Sequence, residues 1–353
     1  MRHKQSPYMH WAKTQSRLPY NLATSGVGPF PLRDLPFDPA CLEINGPNSY
    51  GFSPLQSAIA RHAGCAPECV VEAAGTSMAN HLALATILEP GDQVLMEQPV
   101  YGPILDAALY LQAAVVRFPR RAEDDFAIDP AEVRRALTPR TRLIVLTNLH
   151  NPSSVLTPEA TLRAIGDMAA EAGALVLVDE VYLDAVYGHT PPSAIHLGPQ
   201  FLITSSLTKV YGVSGLRCGW ILANPELAWK MRCMNDLYAA TPAHPAEILS
   251  VAAFEHLPRL RERARRVVET DRAALAAFLA RRSDVSAAPT AFGTTCFLKV
   301  PAPAEALIDR LRADQTAVVP GRFFETPTHV RIGMGVDSAM FAEGLRRLER
   351  ALG

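Results

Sequence analysis

Residues 204–220 read TSSLTKVYGVSGLRCGW, and this stretch contains one lysine, Lys209, among small and apolar residues. An isolated amine in such surroundings loses its proton more readily than an exposed one, and the neutral amine attacks carbonyl carbons. Ser206 precedes it and Arg217 follows it, and hydroxyl and guanidinium groups bind phosphate dianions. Together these side chains predict a phosphorylated aldehyde held on Lys209 as a Schiff base, and pyridoxal 5'-phosphate (PLP) is the obvious candidate.

The overall composition is that of an ordinary soluble globular protein, long enough for two domains. Of its 353 residues, 48% are hydrophobic and 20% are charged, and the formal net charge is -1. This balance predicts neither a nucleic-acid nor an anionic-membrane partner. No apolar run approaches the roughly 20 residues that span a bilayer. The basic N-terminal segment lacks the apolar stretch of a secretory signal, so we expect a cytoplasmic protein.

The six cysteines are scattered along the chain, which favours a reducing compartment over a disulfide scaffold. Cys65 and Cys69, with His62 and His81 nearby, are candidate metal ligands. No second pair completes a site, so the sequence predicts ordinary thiols here and no bound metal.

Apolar runs typical of strands alternate with helical patterns through the middle of the chain. The runs are DQVLMEQ (92–98), AAVVRFP (113–119), RLIVLTN (142–148), ALVLVDE (174–180), FLITSS (201–206) and LRCGWILA (216–223). Such near-continuous Val, Ile and Leu indicate strands that are buried on both faces. We therefore predict an α/β fold with a mainly parallel central sheet and helices on both faces.

The composition changes towards the C-terminus, which predicts a second unit. Residues 245–281 have the pattern of a helix pair, and from about 282 strand and helix patterns are mixed. We predict a large domain at 45–281 and a small α+β domain at 282–353. Residues 1–44 are Pro-rich and predicted to be irregular, with one extended segment at 21–27, and to pack on the small domain.

Polar side chains stand where predicted parallel strands end, and ligands of open α/β sheets bind at those ends. Asp179 closes ALVLVD, and a carboxylate buried there needs a cationic partner such as a protonated pyridine nitrogen. Tyr182 and Asn151 carry donors suited to the phenolate oxygen of the same ring. The Tyr101 ring is predicted to stack on the face of the same ring.

Two further groups suit the ends of such a ligand. Gly75, Thr76 and Ser77 enter a predicted helix, whose free N–H groups and dipole attract an anion such as the phosphate. Arg331 lies in a predicted strand of the small domain, and a fixed guanidinium there suits the α-carboxylate of a substrate. A structural carboxylate such as Glu325 is the alternative partner of Arg331.

Taken together, these motifs resemble those of the fold-type I PLP enzymes, specifically the class I/II aminotransferases of the aspartate aminotransferase superfamily. The segment SLTKVYGVSGLRCGW matches the Ser-x-x-Lys…Gly-x-Arg-x-Gly pattern of the family, and NP (151–152) and DEVY (179–182) match its other motifs. The resemblance implies that Lys209, Asp179 and Tyr182 are catalytic. It also implies a set of cofactor-binding residues: Gly75, Thr76, Ser77, Tyr101, Asn151, Asp179, Tyr182, Ser206, Lys209 and Arg217. It implies substrate binding by Gly26, Asn151 and Arg331.

The chain departs from the family pattern in two places. The family often has Asn-Pro-Thr-Gly where this chain has Asn-Pro-Ser-Ser at 151–154, so the sequence predicts a different turn. Relatives often carry a tyrosine, which reaches the partner subunit's phosphate, at the position that is Gly46 here. Tyr50 is the nearby tyrosine in this chain, and the cross-subunit contact stays open.

The resemblance implies a homodimer that transaminates an L-amino acid and a 2-oxo acid by a ping-pong mechanism. An alternative on the same fold is a lyase or decarboxylase, of the C–S lyase or threonine-phosphate decarboxylase type. A less favoured alternative is a PLP-binding regulator without turnover. The amino donor stays open, because Arg232 and Arg322, the candidates for binding a distal carboxylate, lie in no motif.

Overall fold

A computed structural model describes residues 4–301 and 303–353. The helices are α1 Pro7–Thr14, α2 Ser53–Ala63, α3 Gly75–Ile87, α4 Gly102–Tyr110, α5 Pro130–Ala136, α6 Glu159–Ala172, α7 Pro225–Asn235, α8 His244–Glu255, α9 Leu257–Ala280, α10 Ala304–Ala313 and α11 Ser338–Leu352. The strands are β1 Tyr20–Asn21, β2 Val70–Ala74, β3 Gln93–Gln98, β4 Ala114–Pro119, β5 Thr141–Thr147, β6 Leu175–Asp179, β7 Phe201–Ser206, β8 Cys218–Leu222, β9 Thr295–Lys299, β10 Thr316–Ala317, β11 Val319–Pro320 and β12 His329–Gly333.

The central sheet has seven strands in the order β2-β8-β7-β6-β5-β3-β4. The strands from β3 to β7 pair in parallel, and β8 and β2 add antiparallel pairs at one side. Both faces are covered, because Val178 and Ile203 belong to one apolar core whereas Leu177 and Leu202 belong to another. The predicted α/β fold class is therefore confirmed.

The parallel register brings the ends of three strands to one edge of the sheet. Thr147 of β5 pairs with Asp179 of β6, and Asp179 pairs with Thr204 of β7. Side chains that follow these positions therefore lie close together, although they are far apart in sequence.

A smaller unit surrounds a three-stranded antiparallel sheet, β11-β12-β9, and its core includes residues of α10 and α11. The N-terminal segment joins this unit, since β1 pairs in parallel with β10. The division of the chain at residues 44 and 281 stays a prediction. Among the described residues, no helix is long and apolar enough to cross a membrane.

Two of the local predictions were wrong. Residues 7–14 form α1, whose Ser6 cap accepts a hydrogen bond from the Met9 backbone and whose first residue is Pro7. Those are ordinary helix-start signals, but a helix of eight residues gives too short a pattern to stand out in a Pro-rich segment. The extended segment predicted at 21–27 is a strand only at Tyr20–Asn21. In addition, β2 was absent from the predicted strands.

Gly219 of β8 fixes the approach of α3 to the sheet. A Cβ atom at this position would lie 2.5 Å from the carbonyl carbon of Gly75, the first residue of α3. Real side chains do not fit at such a distance from backbone atoms, so only glycine permits this contact. The start of α3 is therefore held against β8 at backbone distance.

We expect Gly219→Ala to lower the free energy of unfolding by about 1–3 kcal/mol, because the added methyl group pushes α3 from β8. Gly188→Ala is the matched control, since a Cβ there meets no atom within 4 Å. Chemical denaturation of both variants measures the difference. Equal stability of the two variants would contradict the tight contact.

Candidate active site

A cavity of about 160 Å³ opens at the carboxyl ends of the parallel strands. Its lining combines hydroxyl, amide, carboxylate, amine and guanidinium groups with two tyrosine rings. The lining residues are Met9, Thr76, Ser77, Asn80, Tyr101, Thr147, Asn151, Asp179, Val181, Tyr182, Thr208, Lys209, Ser214 and Arg217.

Lys209 lies in this cavity, and its amine has a lowered pKa. Its Nζ donates a hydrogen bond of 2.8 Å to the Ser25 hydroxyl. Burial, together with the nearby cations Arg331 and Arg217, lowers the pKa of Lys209 from 10.5 to about 8. About a tenth of this amine is thus unprotonated, and nucleophilic, at pH 7, far more than for an exposed lysine.

Asp179 is a buried carboxylate that faces the same cavity. It accepts hydrogen bonds from the Asn80 amide (2.9 Å) and the Val181 backbone (3.1 Å). Asn80 is itself oriented by Thr204, whose hydroxyl donates to the amide oxygen at 2.6 Å. Burial raises the pKa of Asp179 from 3.8 to about 6, so a cation beside it would be strongly favoured.

The start of α3 and the loop before β8 form a cradle of donors at one end of the cavity. Thr76 donates to the Ser206 hydroxyl at 2.7 Å, and Ser206 also bonds Thr208 at 2.6 Å. Arg217 adopts a left-handed backbone (φ 52°), and its guanidinium donates to the Ala74 carbonyl at 3.1 Å. Gly75 has a left-handed backbone (φ 76°), which favours glycine, and a Cβ there would lie 2.2 Å from the Arg217 guanidinium and displace it.

Arg331 lies just behind the cavity with no exposed surface. Its Nη1 donates to the Asn151 amide oxygen at 3.0 Å, and its Nη2 donates to the Tyr8 hydroxyl at 2.9 Å. No carboxylate of residues 4–301 and 303–353 pairs with it, and its Nε has no hydrogen-bond partner there. A buried guanidinium of this kind has a strong requirement for an anion.

Two tyrosines complete the walls. Burial raises the pKa of Tyr182 to about 12, so its hydroxyl remains a donor at neutral pH. Tyr101 packs edge-on against Tyr8, with ring centroids 5.5 Å apart, and its hydroxyl donates to the Met9 sulfur at 3.5 Å.

Most of the residues predicted from the sequence line the cavity or bond to its lining. Those in the lining are Thr76, Ser77, Tyr101, Asn151, Asp179, Tyr182, Lys209 and Arg217. Gly75 and Ser206 lie directly behind the cradle, and Arg331 lies behind Asn151. Gly26 is not in the lining: it packs on the backbone of Lys209, where its Cβ would lie 2.8 Å from the carbonyl oxygen.

Three residues that the sequence offered as alternatives, one as a partner of Arg331 and two as ligands of a distal carboxylate, lie outside the cavity. Glu325 pairs with Arg117 and not with Arg331. Arg232 donates to backbone carbonyls, including that of Val70, and Arg322 pairs with Glu305. Neither Arg232 nor Arg322 lines the cavity.

The turn at 151–154 ends in a residue with the left-handed backbone that glycine favours, although that residue is a serine. Ser154 has φ 64°, and its hydroxyl donates to the Thr295 carbonyl at 2.8 Å. The Ser153 hydroxyl bonds His150 Nδ1 at 2.6 Å. The bond from Ser154 to Thr295 offsets the strain of a left-handed serine and holds this turn against β9 of the smaller unit.

Sequence reasoning missed several residues of the site, including Tyr8, Met9, Ser25 and Asn80. Asn80 lies one turn beyond the predicted cradle, so its inward position on α3 was the available signal. Tyr8, Met9 and Ser25 belong to the N-terminal segment that was predicted to be irregular. Their partners are distant in sequence, and no local pattern identifies such contacts.

A model of the family described as aminotransferase class I and II matches residues 45–348. The chain belongs to this family. It is therefore a PLP-dependent enzyme of the aminotransferase type, and its cofactor is pyridoxal 5'-phosphate, as the sequence predicted.

The relatives of this family member carry several activities. Capreomycidine synthase from Streptomyces vinaceus is 30% identical over 94% of this chain and 90% of the relative. A probable aspartate/prephenate aminotransferase from Thermus aquaticus is 28% identical over 81% of this chain and 76% of the relative.

Solved structures share the fold over the whole chain. A PLP-dependent aminotransferase from Streptococcus suis 89-1591 has a TM-score of 0.93 at 24% identity and covers 100% of this chain and 98% of its own. The PLP-dependent cyclase OrfR has a TM-score of 0.90 at 24% identity, with the same coverage. At this identity the likeness establishes the fold.

The lowered pKa of Lys209 predicts how its reactivity depends on pH. In the cofactor-free protein, labelling of Lys209 by acetic anhydride should rise with pH and reach half its maximum near pH 8, since only the neutral amine reacts. Arg331→Leu removes a cation that lowers this pKa, so its midpoint should lie at higher pH. Mass spectrometry of the Lys209 peptide gives both curves. A midpoint near 10.5, or one unmoved by Arg331→Leu, would contradict the assigned electrostatics.

Proposed function

We propose that this enzyme transfers an amino group between an L-amino acid and a 2-oxo acid by a ping-pong mechanism. The observation that carries the proposal is the Lys209 amine, with its lowered pKa, in one cavity with Asp179 and with Asn151, which binds Arg331 behind the cavity. Amine, carboxylate and guanidinium are the groups that such a reaction needs for proton transfer, charge balance and substrate binding.

The residues of the cavity suit the cofactor atom by atom. No cation of residues 4–301 and 303–353 forms an ion pair with Asp179, although the charge of Lys209 acts on it, and the protonated ring nitrogen would supply such a partner. Arg217, the hydroxyls of Thr76 and Ser206, and the N–H groups at the start of α3 would hold the phosphate. When bound, PLP withdraws electrons from the Cα atom of an amino acid and so makes the Cα proton acidic.

Asn151 and Tyr182 would bind the oxygen on the ring. Asn151 uses its amide oxygen for Arg331, so its NH₂ group remains free to donate. The raised pKa of Tyr182 keeps its hydroxyl protonated for the same purpose. Tyr101 would stack on the ring face.

Lys209 would first hold the cofactor and then act as the base. With the cofactor bound, Lys209 Nζ would remove the proton from the substrate Cα atom, hold it and return it. A pKa of about 8 suits both directions of this transfer near neutral pH. Ser25, which accepts a hydrogen bond from Nζ, would hold the amine in the meantime.

A second candidate function is an intramolecular cyclisation of an amino acid on the same cofactor. The cyclase OrfR shares this fold, and a relative 30% identical over 94% of the chain is named a synthase and not a transaminase. Ring closure keeps the amino nitrogen in the product, whereas transamination releases a 2-oxo acid, so the products separate the two reactions.

We further propose that the enzyme is a homodimer. Large apolar side chains are exposed around residues 44–50 and 229–238, including Ile44 (84%) and Leu237 (77%). Such patches are typical of protein interfaces. Gly46 itself lies against the His244 ring, where a Cβ would be 2.6 Å away, so no side chain fits there without displacing His244.

A half-reaction screen tests the proposed activity. Single amino acids are added to the PLP form, and the loss of its visible absorption and the release of 2-oxo acid are measured together. We expect a 2-oxo acid from at least one amino acid, and no turnover from Lys209→Ala. A product that keeps its nitrogen and contains a new ring would support the cyclase instead. Transamination by Lys209→Ala at the wild-type rate would contradict the role of Lys209.

Asp179→Asn tests the charge partner of the ring. We expect turnover to fall about 10²–10³-fold, because a neutral amide does not stabilise the ring's positive charge. Glu180→Gln is the matched control, since the adjacent Glu180 is equally buried but accepts from the Ala194 backbone outside the cavity. Steady-state rates of both variants at saturating cofactor give the comparison, and equal losses would contradict the role of Asp179.

A further inference from the structure

The N-terminal helix α1 supplies a second residue to the guanidinium behind the active site. Tyr8 has 6% of its surface exposed, and its hydroxyl accepts a hydrogen bond from Arg331 Nη2 at 2.9 Å. The position of Tyr8 is fixed by aromatic contacts: its ring centroid lies 5.5 Å from that of Tyr101 and 5.7 Å from that of Phe323. Trp11, one turn further along α1, packs on the same Phe323 at 5.6 Å.

Tyr8 and Asn151 together hold the plane of the guanidinium. Nη1 of Arg331 donates to Asn151 and Nη2 donates to Tyr8, so the two hydrogen bonds restrain both ends of the group. Arg331 has no ion-pair partner among the described residues, and its buried Nε is unsatisfied. The buried cation is thus oriented by two neutral groups while its charge remains uncompensated.

The Tyr8 hydroxyl has a hydrogen left to donate. In its contact with Arg331 it acts as the acceptor, and a phenol carries one proton of its own. Within residues 4–301 and 303–353, this proton has no acceptor at hydrogen-bond distance. A carboxylate oxygen next to the guanidinium would accept it.

We propose that Tyr8 is a carboxylate-binding residue, which orients Arg331 and donates its own hydroxyl proton to the α-carboxylate of the substrate. The inference rests on the proposed function in so far as Arg331 binds that carboxylate. It makes α1 part of the substrate site, so that a segment at the very start of the chain sets the affinity for amino acids.

The test compares a carboxylate with its amide. The probes are 2-methylalanine, which has no Cα proton, and its primary amide, and calorimetric titration of the PLP-bound enzyme gives both affinities. Tyr8→Phe removes one oxygen and keeps the ring contacts. We expect it to weaken binding of the acid about 10-fold or more and to change binding of the amide by less than about 3-fold, because hydrogen bonds to charged groups are the strong ones.

Trp11→Phe is the matched control. Trp11 lies on α1, as Tyr8 does, and packs on Phe323, but it makes no hydrogen bond to Arg331. In Trp11→Phe, the ratio of the affinities for 2-methylalanine and for its amide should keep the wild-type value. With any amino acid that is turned over, Tyr8→Phe should raise KM and leave kcat nearly unchanged.

Equal losses for the acid and the amide, no loss for the acid, or the same loss in Trp11→Phe would overturn the proposal. The outcome is independent of the reaction type. If the half-reaction screen yields no 2-oxo acid while the preference for the acid still depends on Tyr8, then the transaminase proposal fails and the role of Tyr8 stands.

Discussion

The buried guanidinium of Arg331 connects three separate parts of the chain. It lies on β12 of the smaller unit, donates to Asn151 at the end of β5 in the large sheet, and donates to Tyr8 on α1. Burying such a cation is costly, and hydrogen bonds to its donors offset part of that cost. The hydrogen bonds of Arg331 therefore constrain the position of each of these elements, and its Nε remains an unsatisfied donor.

The cavity shifts the pKa values of its acid and its base in opposite directions. Burial and nearby cations lower the pKa of Lys209 to about 8, whereas burial is the main cause that raises the pKa of Asp179 to about 6. Opposite shifts of an acid and a base in one cavity are typical of sites that move protons. The bonds from Asn80 and Val181 limit the shift of Asp179 and keep it ready to pair with a positive ring.

Much of the large unit could be predicted from the sequence. Four of the central strands, β3, β5, β6 and β7, are runs of mainly apolar residues, and such runs are typical of parallel strands that are buried on both faces. The polar residue at the end of each run then had to lie at the same edge. Strand β2 was missed because it follows a short loop and pairs antiparallel at the side of the sheet, where its sequence, VVEAA, has no distinctive alternation.

The sequence by itself determined the α/β class, the cofactor and many of the residues that line the cavity, because those residues occur in local motifs at strand ends. The tertiary structure alone decided which distant residues complete the site. Asn80 reaches Asp179 over 99 positions, Ser25 reaches Lys209 over 184, and Tyr8 reaches Arg331 over 323. Such contacts depend on how helices and sheets pack, and packing leaves no periodic signal in the short segments that supply them.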